Sequence, residues 1–180
     1  MWWQYVIVIV ASLFIALIAV RFDHWLSGRN EYRRAIISLA DEIAANTAIS
    51  ELNCKHLEKD LDASKAGKQT SIPYEALGDL AWSSYKSDIL LRNPNVAKKM
   101  IGVYWDIPTA NRLLDRIEEF KWGAVAAITS SAKTMLGEYL ELAKAYISEQ
   151  LLPHLKEAQE ALQEALEKEN RGWLKKRPWC

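Results

Sequence analysis

The run WWQYVIVIVASLFIALIAV, from Trp2 to Val20, limits what the rest of this chain can be. It contains no charged side chain, and only Gln4 and Ser12 are clearly polar. As a helix rising about 1.5 Å per residue, it falls just short of the ~30 Å hydrocarbon core of a bilayer. Trp2, Trp3 and Tyr5 at one end, with Phe22 and Trp25 at the other, stand where an aromatic belt belongs. The expectation is a single transmembrane helix, with residues 1–26 as a membrane anchor.

A cleaved signal peptide would need a basic start and a small-x-small cleavage site. The chain begins Met1-Trp2-Trp3, and Phe22-Asp23-His24-Trp25 follows the run, so a retained signal anchor is expected. Arg21, Arg29, Arg33 and Arg34 lie just after the run and no basic side chain lies before it. Topology follows Lys and Arg, which puts the N-terminus outside and the C-terminal domain in the cytoplasm. Ser12 and Ala16 form a small-xxx-small pair without glycine, which reads as lipid-facing surface rather than a helix-pairing motif.

Behind the anchor, enough of the 180 residues remains to bury one core. Lys plus Arg and Asp plus Glu are equal at 23 each, so no broad basic field marks a nucleic-acid partner. Two cysteines, Cys54 and Cys180, make no disulfide framework and suit a reducing compartment. Few glycines and prolines, and no sustained alternation of apolar and polar residues, predict an all-α fold. The expected architecture is a helical bundle over residues 27–170, with two long helices and shorter, proline-broken helices between them.

Ser27-Gly28-Arg29-Asn30 reads as a juxtamembrane break, with Asn30 as N-cap. A long helix from about Glu31 to Leu61 follows, with a seam of Ile36, Ala40, Ile43, Thr47, Ser50, Cys54, Leu57 and Leu61. Beside the seam runs a polar row including Glu42, Asn46, Asn53, His56 and Asp60. Half-buried polar groups need partners. The plain reading is hydrogen bonding to neighbouring helices or solvent; the alternative is a polar groove at Glu42, Asn46, Asn53 and His56 that takes a ligand. Without a ligand, Asn46→Leu should leave stability equal or raised. Residues 62–73 read as a loop, and residues 74–91 as a helix sending Leu77, Trp82, Tyr85 and Ile89 inward.

Asn93-Pro94 suits an N-cap followed by the first helical position. Pro108 should kink or divide the helix that starts there. Lys121-Trp122-Gly123 is the next break, and a second long helix is softly interrupted at Pro153. Leu155, Ala158, Leu162 and Ala165 form one stripe of the last segment, which should pack back on the domain or on a partner. Trp82, Tyr85, Tyr104, Trp105 and Trp122 read mainly as core, at helical spacing.

Residues 171–180 differ in kind. Trp173, Lys175, Lys176, Arg177 and Trp179 mix indole rings with positive charge, which suits anionic lipid at a membrane surface, unless the tail simply frays. With the anchor flanks Trp2, Trp3, Tyr5, Arg21 and Trp25, they are the expected membrane-interface residues.

No catalytic constellation is legible. Cys54 and His56 point about 200° apart on a helix and cannot share an ion, and no phosphate-binding, zinc-protease or nucleophile-elbow motif occurs. No enzyme activity, cofactor or metal is expected. The sequence is read as a membrane-anchored scaffold or accessory subunit whose partners are membrane lipid and a protein companion or a second copy. The alternative is a small-ligand sensor or transport accessory using the polar groove.

Overall fold

The computed structural model describes residues 2–68, 70, 72–122 and 130–175; side chains are described for 12–68, 70, 72–122 and 134–171. Among these residues every regular element is helical. Helix α1 spans Trp2–Lys65, α2 Leu80–Arg92, α3 Pro94–Trp122, α4 Ser130–Ala145 and α5 Leu152–Lys175, with a π-helical turn Tyr146–Leu151 joining the last two.

The break expected at 27–30 does not exist: α1 is continuous through Gly28 and Asn30. Gly28 serves a close approach instead of a turn. Arg92 Nη1 donates to its carbonyl at 2.8 Å, and a Cβ on Gly28 would lie 3.2 Å from Arg92 Nη2. The stop comes at Gly67, whose φ of 68° is open to glycine. Lys68 N–H bonds the Ala63 carbonyl at 2.8 Å and Gly67 N–H that of Ser64 at 3.0 Å, the paired bonds of a Schellman motif.

Asn93 and Pro94 begin α3 as expected, with Asn93 Oδ1 accepting from Val96 N–H at 3.2 Å. Pro108 does not divide α3, which runs on to Trp122. Pro153 acts differently. The turn just before it widens, and Leu152 N–H bonds the Ile147 carbonyl five residues back. A proline clashes with the carbonyl four positions earlier, and a widened turn gives that carbonyl room.

Two ion pairs set the direction of the closing helices. Arg29 Nε meets Glu169 at 2.9 Å, and Lys144 Nζ meets Glu58 at 3.0 Å, so the α4–α5 arm runs antiparallel to α1. The core lies between α1, α3 and this arm. Ile36, Leu39, Ile43 and Leu57 meet Met100, Val103, Ile107 and Ile117, and also Leu140, Ile147, Leu151 and Leu155. Each such side chain contributes about 1.5–3 kcal/mol by burial. The expected stripe Leu155, Ala158, Leu162 and Ala165 is buried against the domain.

Trp105 and Trp122, expected inside, are 79% and 62% exposed. Trp82 and Tyr104 keep the expected place, stacked at 5.2 Å and packed on the core. Among the described residues no helix is long and apolar enough to cross a membrane. The side chains of residues 1–11, the first half of the apolar run, lie outside those described.

Candidate functional site

The polar row of α1 faces a strip of its own chain. Residues 72–79, expected to begin a helix at 74, are non-helical; they pass between α1 and α3, and α2 starts only at Leu80. Only Leu77 of this segment is buried, but where the strip faces the helices its backbone groups have no helical partner and must find others. Three asparagines supply them, each as donor and acceptor together. Asn46 Nδ2 donates to Gly78 O at 2.8 Å while Gly78 N–H donates to Asn46 Oδ1 at 2.9 Å. Asn53 does the same with Glu75 at 2.8 and 3.0 Å, and Asn111 of α3 with Leu77 at 3.0 and 2.9 Å.

Carboxylates complete the seam. Glu118 accepts from Tyr74 N–H at 2.8 Å. Glu42 accepts from Ala81 N–H at 2.6 Å and from Trp82 N–H at 3.3 Å, capping α2 from another helix because Asp79 makes no side-chain cap. A negative charge there also suits the positive end of the helix dipole. Tyr104 donates its hydroxyl to the same carboxylate. Burial first, then this bond and the Glu42 charge, hold the Tyr104 phenol far above its ordinary pKa.

At the far end of the strip, Lys121 Nζ donates to Asp60 Oδ2 and to Ile72 O, both at 2.7 Å. Both side chains are 3% exposed. Thr70 and Tyr74 also donate to Asp60, and Lys121 sits 4.9 Å from the Tyr74 ring centre. Burial pulls the Asp60 pKa upward, but the bonds from Lys121, Thr70 and Tyr74 with the Lys121 charge outweigh it and hold the carboxyl below its ordinary value.

Of the four expected groove residues, Glu42, Asn46 and Asn53 are brought together, on the chain's own backbone. His56 stands apart: it is half-buried, and its Nδ1 has no hydrogen-bond partner among the described residues. Cys54 is half-buried too, its thiol pushed up by burial and then by Glu58, which opposes a nucleophilic thiolate.

A second polar cluster escaped the sequence reading. Asp106 of α3 is 2% exposed and accepts from Tyr146 Oη at 2.8 Å and Gln150 Nε2 at 3.0 Å; His154 Nδ1 lies 2.6 Å from its other oxygen. The widened turn before Pro153 keeps those three side chains within reach of one carboxylate. A buried carboxylate orienting a half-exposed imidazole can also hold a proton-transferring base. Among the described residues no group of three or more His, Cys, Asp or Glu side chains could hold a metal ion.

No protein-family model, curated protein or solved structure matches the chain.

Of the expected membrane-interface residues, Arg21 and Trp25 are those whose side chains are described, and both lie on the exposed stretch of α1. Ser12 to Ser27 of α1 are exposed, and Leu13, Phe14, Ile15 and Leu17 are each more than 60% open. Arg21 belongs to this exposed stretch. Trp25, 49% exposed, stacks with Phe22 at 5.8 Å and carries Arg29 over its ring at 5.6 Å. The backbones of Trp2, Trp3 and Tyr5 belong to α1, and those of Trp173 and Lys175 to α5; their side chains lie outside the described residues, as do Lys176, Arg177 and Trp179 altogether.

Proposed function

We propose that this chain is a membrane-anchored helical scaffold or accessory subunit that works by binding a protein partner, not by catalysis. The N-terminus lies outside and the bundle is cytoplasmic. The observation that carries the reading is the bare apolar surface of Leu13–Val20 on the same unbroken helix that forms the bundle. Apolar surface on this scale needs a partner other than water. The uncharged run before it, the flanking aromatics and the arginines on one side all suit a bilayer.

A face for a protein companion is also present. Ile101 and Trp105 sit one turn apart on α3, 49% and 79% exposed. Tryptophan is a frequent energetic anchor of protein interfaces. Purification from the native membrane in mild detergent, followed by native mass spectrometry, tests the reading. A stoichiometric protein companion is expected; elution alone as a monomer overturns it.

A further inference from the structure

A cleft of about 490 Å³ opens where α1 leaves its bare apolar stretch and enters the bundle. Trp25, Arg29 and Tyr32 of α1, Arg92 and Asn93 at the α2–α3 junction, and Lys168 of α5 line it. Its charge is positive on balance. Arg29 is bound to Glu169, both as an ion pair and through the Glu169 carbonyl at 3.0 Å. Among the described residues Arg92 bonds only the neutral Gly28 carbonyl, stacking 5.8 Å from the Tyr32 ring centre, and Lys168 has no carboxylate partner. Asn93 Nδ2 donates to the Tyr32 hydroxyl at 3.3 Å, and among the described residues no acceptor takes the phenol proton, which can therefore donate into the cleft.

The cleft adjoins an apolar surface, with Trp25 lining both. Trp25 also closes a mainly apolar trough of about 540 Å³ that runs along α1 past Phe22, Ile18, Leu17 and Phe14, with Arg21 at its edge as the one charged lining residue. Arg29 lies one turn, about 6 Å, beyond Trp25 on the helix. An indole at the interface therefore sets the cationic cleft at headgroup depth and the trough in the hydrocarbon.

We infer that the cleft binds one anionic phospholipid, its phosphate held by Arg92, Lys168 and Tyr32 and its acyl chains lying in the trough from Trp25 to Phe14. The inference rests on the membrane-anchor reading and deepens it. A planar guanidinium pairs with phosphate oxygens in two-point fashion, and Lys168 adds a point charge. The leaflet expected to surround this end of the helix is the cytoplasmic one, where anionic lipids attract basic groups. A free phosphate would meet the same cations but would leave the trough bare.

The test uses the full chain reconstituted in phosphatidylcholine bilayers holding a minor share of phosphatidylglycerol. Lipid retained after extraction into mild detergent is read by native mass spectrometry. The wild type should keep one phosphatidylglycerol in preference to phosphatidylcholine. The double variant Arg92→Ala, Lys168→Ala should lose that preference at least tenfold, and both side chains are exposed enough to leave folding intact. An alkaline carbonate wash reads the anchor separately. A chain released by carbonate overturns the anchor and the lipid together. A chain that stays but holds both lipids alike, or a double variant that keeps its phosphatidylglycerol, overturns the cleft alone. Thermal stabilisation by inorganic phosphate equal to that by phosphatidylglycerol overturns the lipid in favour of a free anion.

Discussion

Asn46 and Gly78 exchange two hydrogen bonds, amide to backbone and backbone to amide, at 2.8 and 2.9 Å where the strip meets α1. Asparagine copies the peptide group, so a helix side chain can pair with a non-helical segment much as a neighbouring strand would. Asn53 and Asn111 repeat the device on Glu75 and Leu77.

Asn46→Leu takes both partners from the Gly78 backbone, and because Gly78 is exposed to water each lost hydrogen bond costs its net worth of about 0.5–1.5 kcal/mol. The variant should lose about 1–3 kcal/mol in urea unfolding, the reverse of the neutral or stabilising effect that the row alone predicts. Unchanged stability would mean that the strip does not lie where it is described.

Lys121→Met strands the Asp60 carboxylate in the interior. Breaking one side of a buried pair costs about 3–5 kcal/mol, whereas replacing both charges by apolar groups is often near neutral. The double variant Lys121→Met, Asp60→Leu should therefore recover most of the loss in a denaturant titration. Additive losses would show that the pair does not act as a unit.

The pair also sets an acid limb. The folded carboxyl of Asp60 titrates below its ordinary 3.8, so the unfolded chain takes up this proton first as pH falls. Its contribution is complete above about pH 4 and disappears as pH drops through the folded value. Stability measured against pH should fall less steeply there in the double variant than in the wild type.

Tyr146 gives an alkaline counterpart. Burial, then the bond to Asp106 and the charge of that carboxylate, push its phenol up from 10.0 to about 12. The stability it contributes is whole below about pH 10 and is lost as pH rises through about 12. Subtracting the ultraviolet titration of Tyr146→Phe isolates this phenol, and Asp106→Asn should bring it back toward 10. A Tyr146 titration at 10 in the wild type would break the assignment.

Trp105→Glu tests the exposed face of α3. The side chain touches little of its own fold, so unfolding stability should shift by no more than about 0.5 kcal/mol. Recovery of a protein companion from the membrane should drop sharply. A companion recovered at wild-type yield would place its contact elsewhere.

Apolar periodicity revealed the helices because burial on one face repeats with the helical turn. Ile36, Ile43, Leu57 and the stripe from Leu155 to Ala165 are buried as that rule requires. Asn93 with Pro94 marked a helix start because a cap is a local device. The strip was not legible, since Leu77, Trp82, Tyr85 and Ile89 carry helical spacing, and only partners far along the chain hold residues 72–79 out of the helix. One clue was present: Lys121 falls in the same register as Ala110, Leu114 and Ile117, and a lysine in a core row implies a buried carboxylate. Asp106, between the buried Val103 and Ala110, carried the same signal. Trp105 and Trp122 misled because aromatic content says nothing about which side of a helix meets the core.

The absence of a joint in α1 has a mechanical meaning. The trough at Phe14–Trp25 and the bundle from Tyr32 onward are mounted on one shaft, as two cams are, so their angular offset is fixed by residue count alone. One residue added at Ser27 would turn the shaft's N-terminal part by about 100° and advance it by about 1.5 Å, carrying the trough away from the cleft while each half kept its own packing.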